Sequence, residues 1–260
     1  MMYFIDVQGT LIEDNTKLPT RGAVAFIDYL NTHHIPYMVI TNSTKNPSDE
    51  FLGYLNSIGL NIPREHYLDP LMMLEGHIDK SKKIAAYGSE PFLDVVRSMG
   101  YYLDYTSPDT VLVAIKENFL ADEYAQMIEF LLSGAELVGM HETTLYVKNH
   151  KRYPGVGAIL KMLEFATSTP YTVVGKPSIP FFEEALLRLA KQKEDARFGD
   201  VTIISDDLKG DLIGAQKLGM RGVFVLSGKI RNADEIIPSL REDEHPAAIY
   251  PDMQGILESL

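Results

Sequence analysis

The amino-acid sequence predicts an α/β fold: a doubly wound, mostly parallel sheet with a smaller α/β domain inserted into it. Three observations carry this expectation. The chain opens on the rhythm strand, helix, strand, helix, the start of a parallel sheet. The same rhythm returns from "YTVVG" to "GVFVLS" near the far end. The intervening segment has an α/β pattern of its own.

In order, "MYFIDV" is short, apolar and aromatic and breaks at Gly9, as a buried strand feeding a loop does. In "TRGAVAFIDYL" the residues Ala23, Phe26, Ile27 and Leu30 recur at helical spacing behind Thr20 as a cap. "PYMVIT" is a second buried strand, ending at Thr41. The next helix is expected to start at Asn46-Pro47, to carry Phe51, Leu52, Leu55 and Ile58 on one face, and to stop at Gly59. Residues 82–172 then run through "KKIAAYG", a helix near "PFLDVVRSMG", "DTVLVAI", a helix with Tyr124, Met127, Ile128 and Leu131 on one face, "ELVGM", "TLYVK", and a helix after Pro154. After them come "YTVVG", a helix around "PFFEEALLRLAK", "VTIIS", a helix in "GDLIGAQKLG", and "GVFVLS". The expected division is therefore a discontinuous main domain of 1–81 and 173–260 with 82–172 inserted, and "REDEHP" as a solvated loop.

Composition narrows the function. The 260 residues are 45% hydrophobic and 23% charged, ample for a full core. The net charge of -12 speaks against a nucleic-acid surface. No cysteine is present, which removes thiolate nucleophiles, disulfides and Cys-zinc sites. No apolar run approaches a membrane span and no basic leader precedes the first strand, so a cytoplasmic protein is expected.

In open α/β sheets ligands bind outside the carboxyl ends of the strands. The polar residues expected there are Asp6, Thr41 and Asn42, Lys176, and Asp206, Asp207 and Asp211. Taken singly, each has a plainer reading as a turn former, helix cap or solvated side chain. Taken together, they suit magnesium plus a phosphate: hard oxygen ligands for the ion, with lysine, hydroxyl and backbone N–H groups for the anion.

These stretches resemble the haloacid dehalogenase (HAD) superfamily, specifically its NagD-like class IIA phosphatases. "FIDVQGTL" looks like the first family motif, "VITNS" the second, "VVGKPS" the third and "ISDDLKGDLIGAQKLGM" the fourth. The resemblance spans nearly the whole chain and implies a Rossmann-like core with an α/β cap between the second and third motifs. It further implies that Asp6 attacks phosphorus to give an aspartyl-phosphate. Magnesium would be held by Asp6, the backbone carbonyl of Gln8 and Asp206, with Asp207 or Asp211 close by. Thr41 and Asn42, with Ser43 beside them, would bind phosphate oxygens, and Lys176 would offset charge on the transferred group. The implied partner is a small phosphorylated metabolite, and a homodimer is an open option.

One departure bears on mechanism. Family phosphatases place an aspartic acid two residues after the nucleophile, where this sequence has Gln8. An amide can orient a water but cannot shuttle a proton near neutral pH. General acid/base catalysis is typically worth 10² to 10⁴, so the handicap is about 3 to 5 kcal/mol of barrier. The leading expectation is a magnesium-dependent phosphatase with weakened proton transfer. The alternative is a phosphoryl-ligand binder that keeps the anion site without turnover. His141 and His150 are candidates for the missing proton shuttle, against a plainer reading as solvated loop residues. Ser205, where the family usually has glycine, is expected to be a mild change. No P-loop, HExxH or GxSxG pattern is present.

Overall fold

The longer apolar runs of the sequence are buried strands in the computed structural model, which describes residues 1–148 and 151–260. In chain order the elements are β1 (Met2–Ile5), α1 (Ala23–Thr32), β2 (Tyr37–Ile40), α2 (Ser48–Ser57), β3 (Tyr67–Leu68), α3 (Pro70–His77), β4 (Lys83–Tyr87), α4 (Glu90–Ser98), β5 (Tyr102–Leu103), β6 (Thr110–Val113), α5 (Ala121–Leu132), β7 (Glu136–Gly139), β8 (Leu145–Lys148) and β9 (Lys151–Pro154). They continue through α6 (Val156–Thr167), β10 (Tyr171–Val173), α7 (Ile179–Ala190), β11 (Val201–Ser205), α8 (Ile213–Lys217), β12 (Arg221–Val225), β13 (Ala248–Tyr250) and α9 (Met253–Leu257). Among the described residues, no helix is long and apolar enough to cross a membrane.

The chain divides into two compact units, one of residues 1–41, 49–68 and 182–260, the other of 42–48 and 69–181. The first carries a six-stranded parallel sheet in the order β13-β12-β11-β1-β2-β3. Central β1 is buried along its whole length, which is why it reads as an unbroken apolar run rather than an alternating one. Phe4 stacks on Phe182 of α7, and Tyr3 meets Phe26 of α1 edge-on. From β1 the chain builds outward through β2 and β3 on one side and through β11, β12 and β13 on the other. The switch point therefore lies between β1 and β11, where a ligand crevice is expected at the carboxyl ends.

The second unit has a five-stranded parallel sheet in the order β10-β7-β6-β4-β5, and a separate antiparallel pair, β8 with β9. Alternation along its strands sorts the core. Ile84, Ala86, Leu112 and Val138 pack with Leu71, Leu74, Phe92 and Val96 on one side. Ala85, Tyr87, Val111, Val113 and Leu137 pack with Met127, Leu131, Ile159 and Leu163 on the other.

Several expectations need correction. The strand in "YTVVG" belongs to the second sheet, as β10 beside β7, not to the sheet that contains β1. Its polar, half-exposed residues suit an edge strand, whereas the strands at the centre of the first sheet are wholly buried. Thr20 does not cap α1: its hydroxyl donates to the Thr10 carbonyl, and Gly22, at φ 82°, occupies the cap position. Helix α2 begins at Ser48, just after Pro47. The expected helix in "GDLIGAQKLG" is a π-helical turn over Leu208–Leu212 that passes into the short α8. Helix α3 gives no strong apolar period but is well capped, Asp69 accepting from the Met72 N–H and from the Ser48 hydroxyl.

Candidate active site

The site of the first unit is built by four strand exits, those of β1, β2, β11 and β12. β1 ends at Ile5, and Asp6 continues the ladder by donating its N–H to the Ile204 carbonyl before the chain turns into a tight loop. In that loop Leu11 and Ile12 both return their N–H groups to the Val7 carbonyl. The turn brings Thr10 back over the strand end: its hydroxyl donates to Asp6 Oδ2 (3.1 Å) and accepts from the Asp206 N–H (3.0 Å). One buried hydroxyl thus joins the exits of β1 and β11. Asp6, Thr10 and Asp206 are all buried.

Asp206 sits in a cradle of glycines. A Cβ on Gly9, whose φ is 78°, would lie 2.3 Å from Asp206 Oδ2, and one on Gly228 would lie 2.0 Å from the same atom. Only a hydrogen fits at either position. The loop after β12 closes this cradle through the Ser227 hydroxyl, which donates to the Gly9 carbonyl (2.7 Å), and the Lys229 N–H, which donates to Asp206 Oδ2 (2.8 Å). Burial pushes the Asp206 carboxyl well above the usual carboxylate range; the charge of Lys229 opposes this, and those of Asp6 and Asp207 add to it.

The acid loop is fixed by Ser205 and by its own turn. The Ser205 hydroxyl donates to Asp211 Oδ2 (2.7 Å) and accepts from the Asp207 N–H (3.0 Å). A glycine there could do neither, so Ser205 is a structural part of the loop and not the mild change expected. Asp207 caps the π-helical turn by accepting from the Gly210 N–H, and it pairs with the Lys229 ammonium. Asp211 is thereby turned inward on the first coil of the helix.

Gln8 and Thr41 meet directly, the Thr41 hydroxyl donating to Gln8 Oε1 at 2.8 Å. A threonine hydroxyl has one proton to give. Here it goes to the glutamine.

In the second unit, Asn42 and Lys176 hold each other by backbone and amide. The Lys176 N–H donates to Asn42 Oδ1 (2.9 Å), and Asn42 Nδ2 donates to the Lys176 carbonyl (3.3 Å). Gly175 permits this approach, since a Cβ there would lie 2.6 Å from Asn42 Oδ1. Lys176 is buried, Ser43 half-buried. The same unit carries His141, which is buried and accepts at Nδ1 from the Thr143 N–H (3.4 Å), so it is not the solvated loop residue expected. His150 lies outside the described residues.

The first unit therefore assembles Asp6, Gln8, Thr41, Asp206, Asp207 and Asp211, while Asn42, Ser43 and Lys176 belong to the second. Sequence reasoning passed over Thr10, Ser205 as a bonding group, and Lys229. The signal for Lys229 was present: "GVFVLS" is also a parallel strand, and its exit residues, Ser227-Gly228-Lys229, needed the same scrutiny as those of β1 and β11.

Comparison with known proteins gives the family and the fold. A haloacid dehalogenase-like hydrolase model matches residues 3–102, and a HAD-hydrolase-like model matches 173–255. The chain belongs to the haloacid dehalogenase-like hydrolases. Within that family it is 29% identical to haloacid dehalogenase-like hydrolase domain-containing protein 2 of Bos taurus, over 97% of this chain and 96% of the other. It is 28% identical to the human phospholysine phosphohistidine inorganic pyrophosphate phosphatase, over 92% and 87% of the two chains. Its fold is shared with p-nitrophenyl phosphatase from Archaeoglobus fulgidus, at a TM-score of 0.82 and 22% identity, covering 100% of this chain and 98% of that one.

Proposed function

We propose that this HAD-type hydrolase cleaves phosphate monoesters of small metabolites with the help of magnesium, Asp6 being the nucleophile. The observation that carries the reading is the Thr10 hydroxyl, which fixes Asp6 and the backbone of Asp206 to one another at the switch point of the sheet. The donor set fits the ion. Magnesium is commonly held by one or two carboxylates with waters rather than by a closed protein cage. The two buried carboxylates of Asp6 and Asp206 match that habit. Asp6, the Gln8 carbonyl and Asp206 would hold magnesium, with Asp207 and Asp211 behind them. When bound, the ion would offset the repulsion between Asp6 and a phosphate dianion and polarise the phosphoryl group.

The chain's own residues do the rest. A carboxylate oxygen of Asp6 forms a bond to phosphorus while the ester P–O bond breaks, and the leaving oxygen keeps the bonding pair and takes a proton from water. Water then attacks the phosphorus, the bond to Asp6 breaks with the pair returning to the carboxylate, and the proton passes to solvent. Asn42, Ser43 and Lys176 are assigned to the phosphate oxygens, and the second unit to the role of a substrate-selecting cap. Gln8, its amide oxygen occupied by Thr41, offers N–H donors but accepts no proton, so both proton transfers fall to solvent.

Turnover of p-nitrophenyl phosphate with and without magnesium tests this, on the wild type and Asp6→Asn. Magnesium-dependent turnover that disappears in Asp6→Asn, with a hydroxylamine-sensitive phosphoprotein in acid-quenched wild type, is the expected result. The Thr41–Gln8 bond also favours a second reading, a phosphoryl-ligand binder. That reading gains if turnover is absent while magnesium with phosphate still raises the melting temperature.

A further inference from the structure

Lys229 is a cation set against the acids of the first unit, and its position is unusual. Its ammonium pairs with Asp207 and its backbone N–H donates to Asp206 Oδ2 (2.8 Å). One residue thus grips two neighbouring carboxylates by different groups. The loop that delivers it is fixed by the Ser227–Gly9 bond on one side and by the Gly228 contact with Asp206 on the other. Burial favours the neutral amine, but the charges of Asp207, Asp206 and Asp211 outweigh it and hold the ammonium protonated.

We propose that Lys229 is a built-in counter-ion that holds the acid site together before a divalent cation arrives, and thereby sets the affinity for that cation. The inference rests on the magnesium reading above. The physical argument concerns the sign of two effects. The charges of Asp6 and Asp207 both act against one on Asp206, and Asp6, Asp206 and Asp211 are buried. A fixed positive charge at Asp207 lowers that repulsion in the metal-free protein and, by the same Coulombic term, disfavours an added cation. Removing the charge therefore destabilises the metal-free fold and strengthens metal binding. A residue that only packed the loop would weaken both when removed. Lys229 acts through Asp206 and Asp207, so it is a positioning residue and takes no part in bond making.

The test is magnesium binding by calorimetry, together with melting temperatures in EDTA and in saturating magnesium, on the wild type, Lys229→Met, Lys229→Gln and Lys229→Arg. The methionine keeps most of the stem's packing and the glutamine keeps a hydrogen-bond donor, so one of the two serves if the other does not fold. Either is expected to bind magnesium on the order of tenfold more tightly. Either should also melt lower than the wild type in EDTA and show a larger rise on adding magnesium, with arginine restoring wild-type values. Unchanged or weaker magnesium binding in folded Lys229→Met or Lys229→Gln overturns the proposal. A wild type that neither binds magnesium nor gains stability from it at millimolar concentration overturns instead the magnesium reading on which the proposal rests.

Discussion

The two units of this protein are built alike and equipped differently. Each is a parallel sheet flanked by helices, and in each some of the strands end at or just before a glycine. In the first unit the strand exits carry Asp6, Thr41 and Asp206, and the glycines make room for a carboxylate. In the second, β4 and β6 exit through Gly88 and Ala114, and the glycines at the ends of β4 and β7 make room for hydrocarbon, while Gly175 after β10 makes room for the Asn42 amide. A Cβ on Gly88 would lie 2.4 Å from the Phe92 ring and one on Gly139 2.3 Å from Leu160. The difference teaches that this architecture supplies a rim, and that the residue types at the exits decide whether the rim is a site or a core.

The largest effect should come from the one exit position of the first unit that lacks the expected acid. Gln8→Asp restores a proton shuttle, and turnover of an alkyl phosphate should rise by about 10² to 10⁴. The gain should be smaller for p-nitrophenyl phosphate, whose leaving group needs little protonation. Steady-state rates on the two substrates check this. Equal small gains on both would mean that another group already handles the proton.

The glycines give the next sharpening. Gly228→Ala drives a methyl into the Asp206 carboxylate, and magnesium binding by calorimetry should fall at least tenfold, the misplacement of a ligand by a fraction of an ångström being enough to lose it. Gly139→Ala drives the same methyl into Leu160 and should cost about 1 to 3 kcal/mol in chemical denaturation while leaving magnesium affinity intact. If the two variants behaved alike, the division between a site rim and a core rim would fail. Ser205→Ala should fall between them: it removes one hydrogen bond to Asp211 and one from the Asp207 N–H, at about 1 to 3 kcal/mol of stability.

How far the sequence discloses this follows from which residues signal through periodicity and which through contact. The buried strands β1, β2, β11 and β12 are legible because continuous apolar runs bounded by turn residues have few other readings. β10 was legible as a strand but not as to its sheet, since pairing partners are a matter of tertiary packing that three residues do not encode. The two-residue strands β3 and β5 are too short to carry a period. In the site, Asp6 and Asp206 stand out because acids interrupt apolar runs. Thr10 and Ser205 do not, because a hydroxyl in a turn is ordinary until its partners are seen. Lys229 signals only through its place at the exit of β12, and its role shows once Asp207 is found against it.

The smallest effect is a pH dependence that again separates the units. Burial lowers the pKa of His66 in the first unit and of His77 in the second below the ordinary 6.5, with Glu65 and Glu136 respectively opposing the shift. For both, the neutral imidazole is favoured in the fold, so their stabilising contribution is complete above 6.5 and is lost as pH falls through the folded pKa. Asp206 has the opposite sign. Its carboxyl is raised by burial, the protonated form is favoured in the metal-free fold, and its contribution grows as pH falls through the folded value. The second unit thus loses stability toward acid through His77 without that compensation, whereas in the first unit Asp206 offsets His66. Melting temperatures in EDTA from pH 7.5 to 5 should fall, less steeply in His77→Gln and more steeply in Asp206→Asn. A flatter profile in Asp206→Asn would mean that its carboxyl is already ionised across this range, held so by Lys229, and that the first unit has no compensating acid at all.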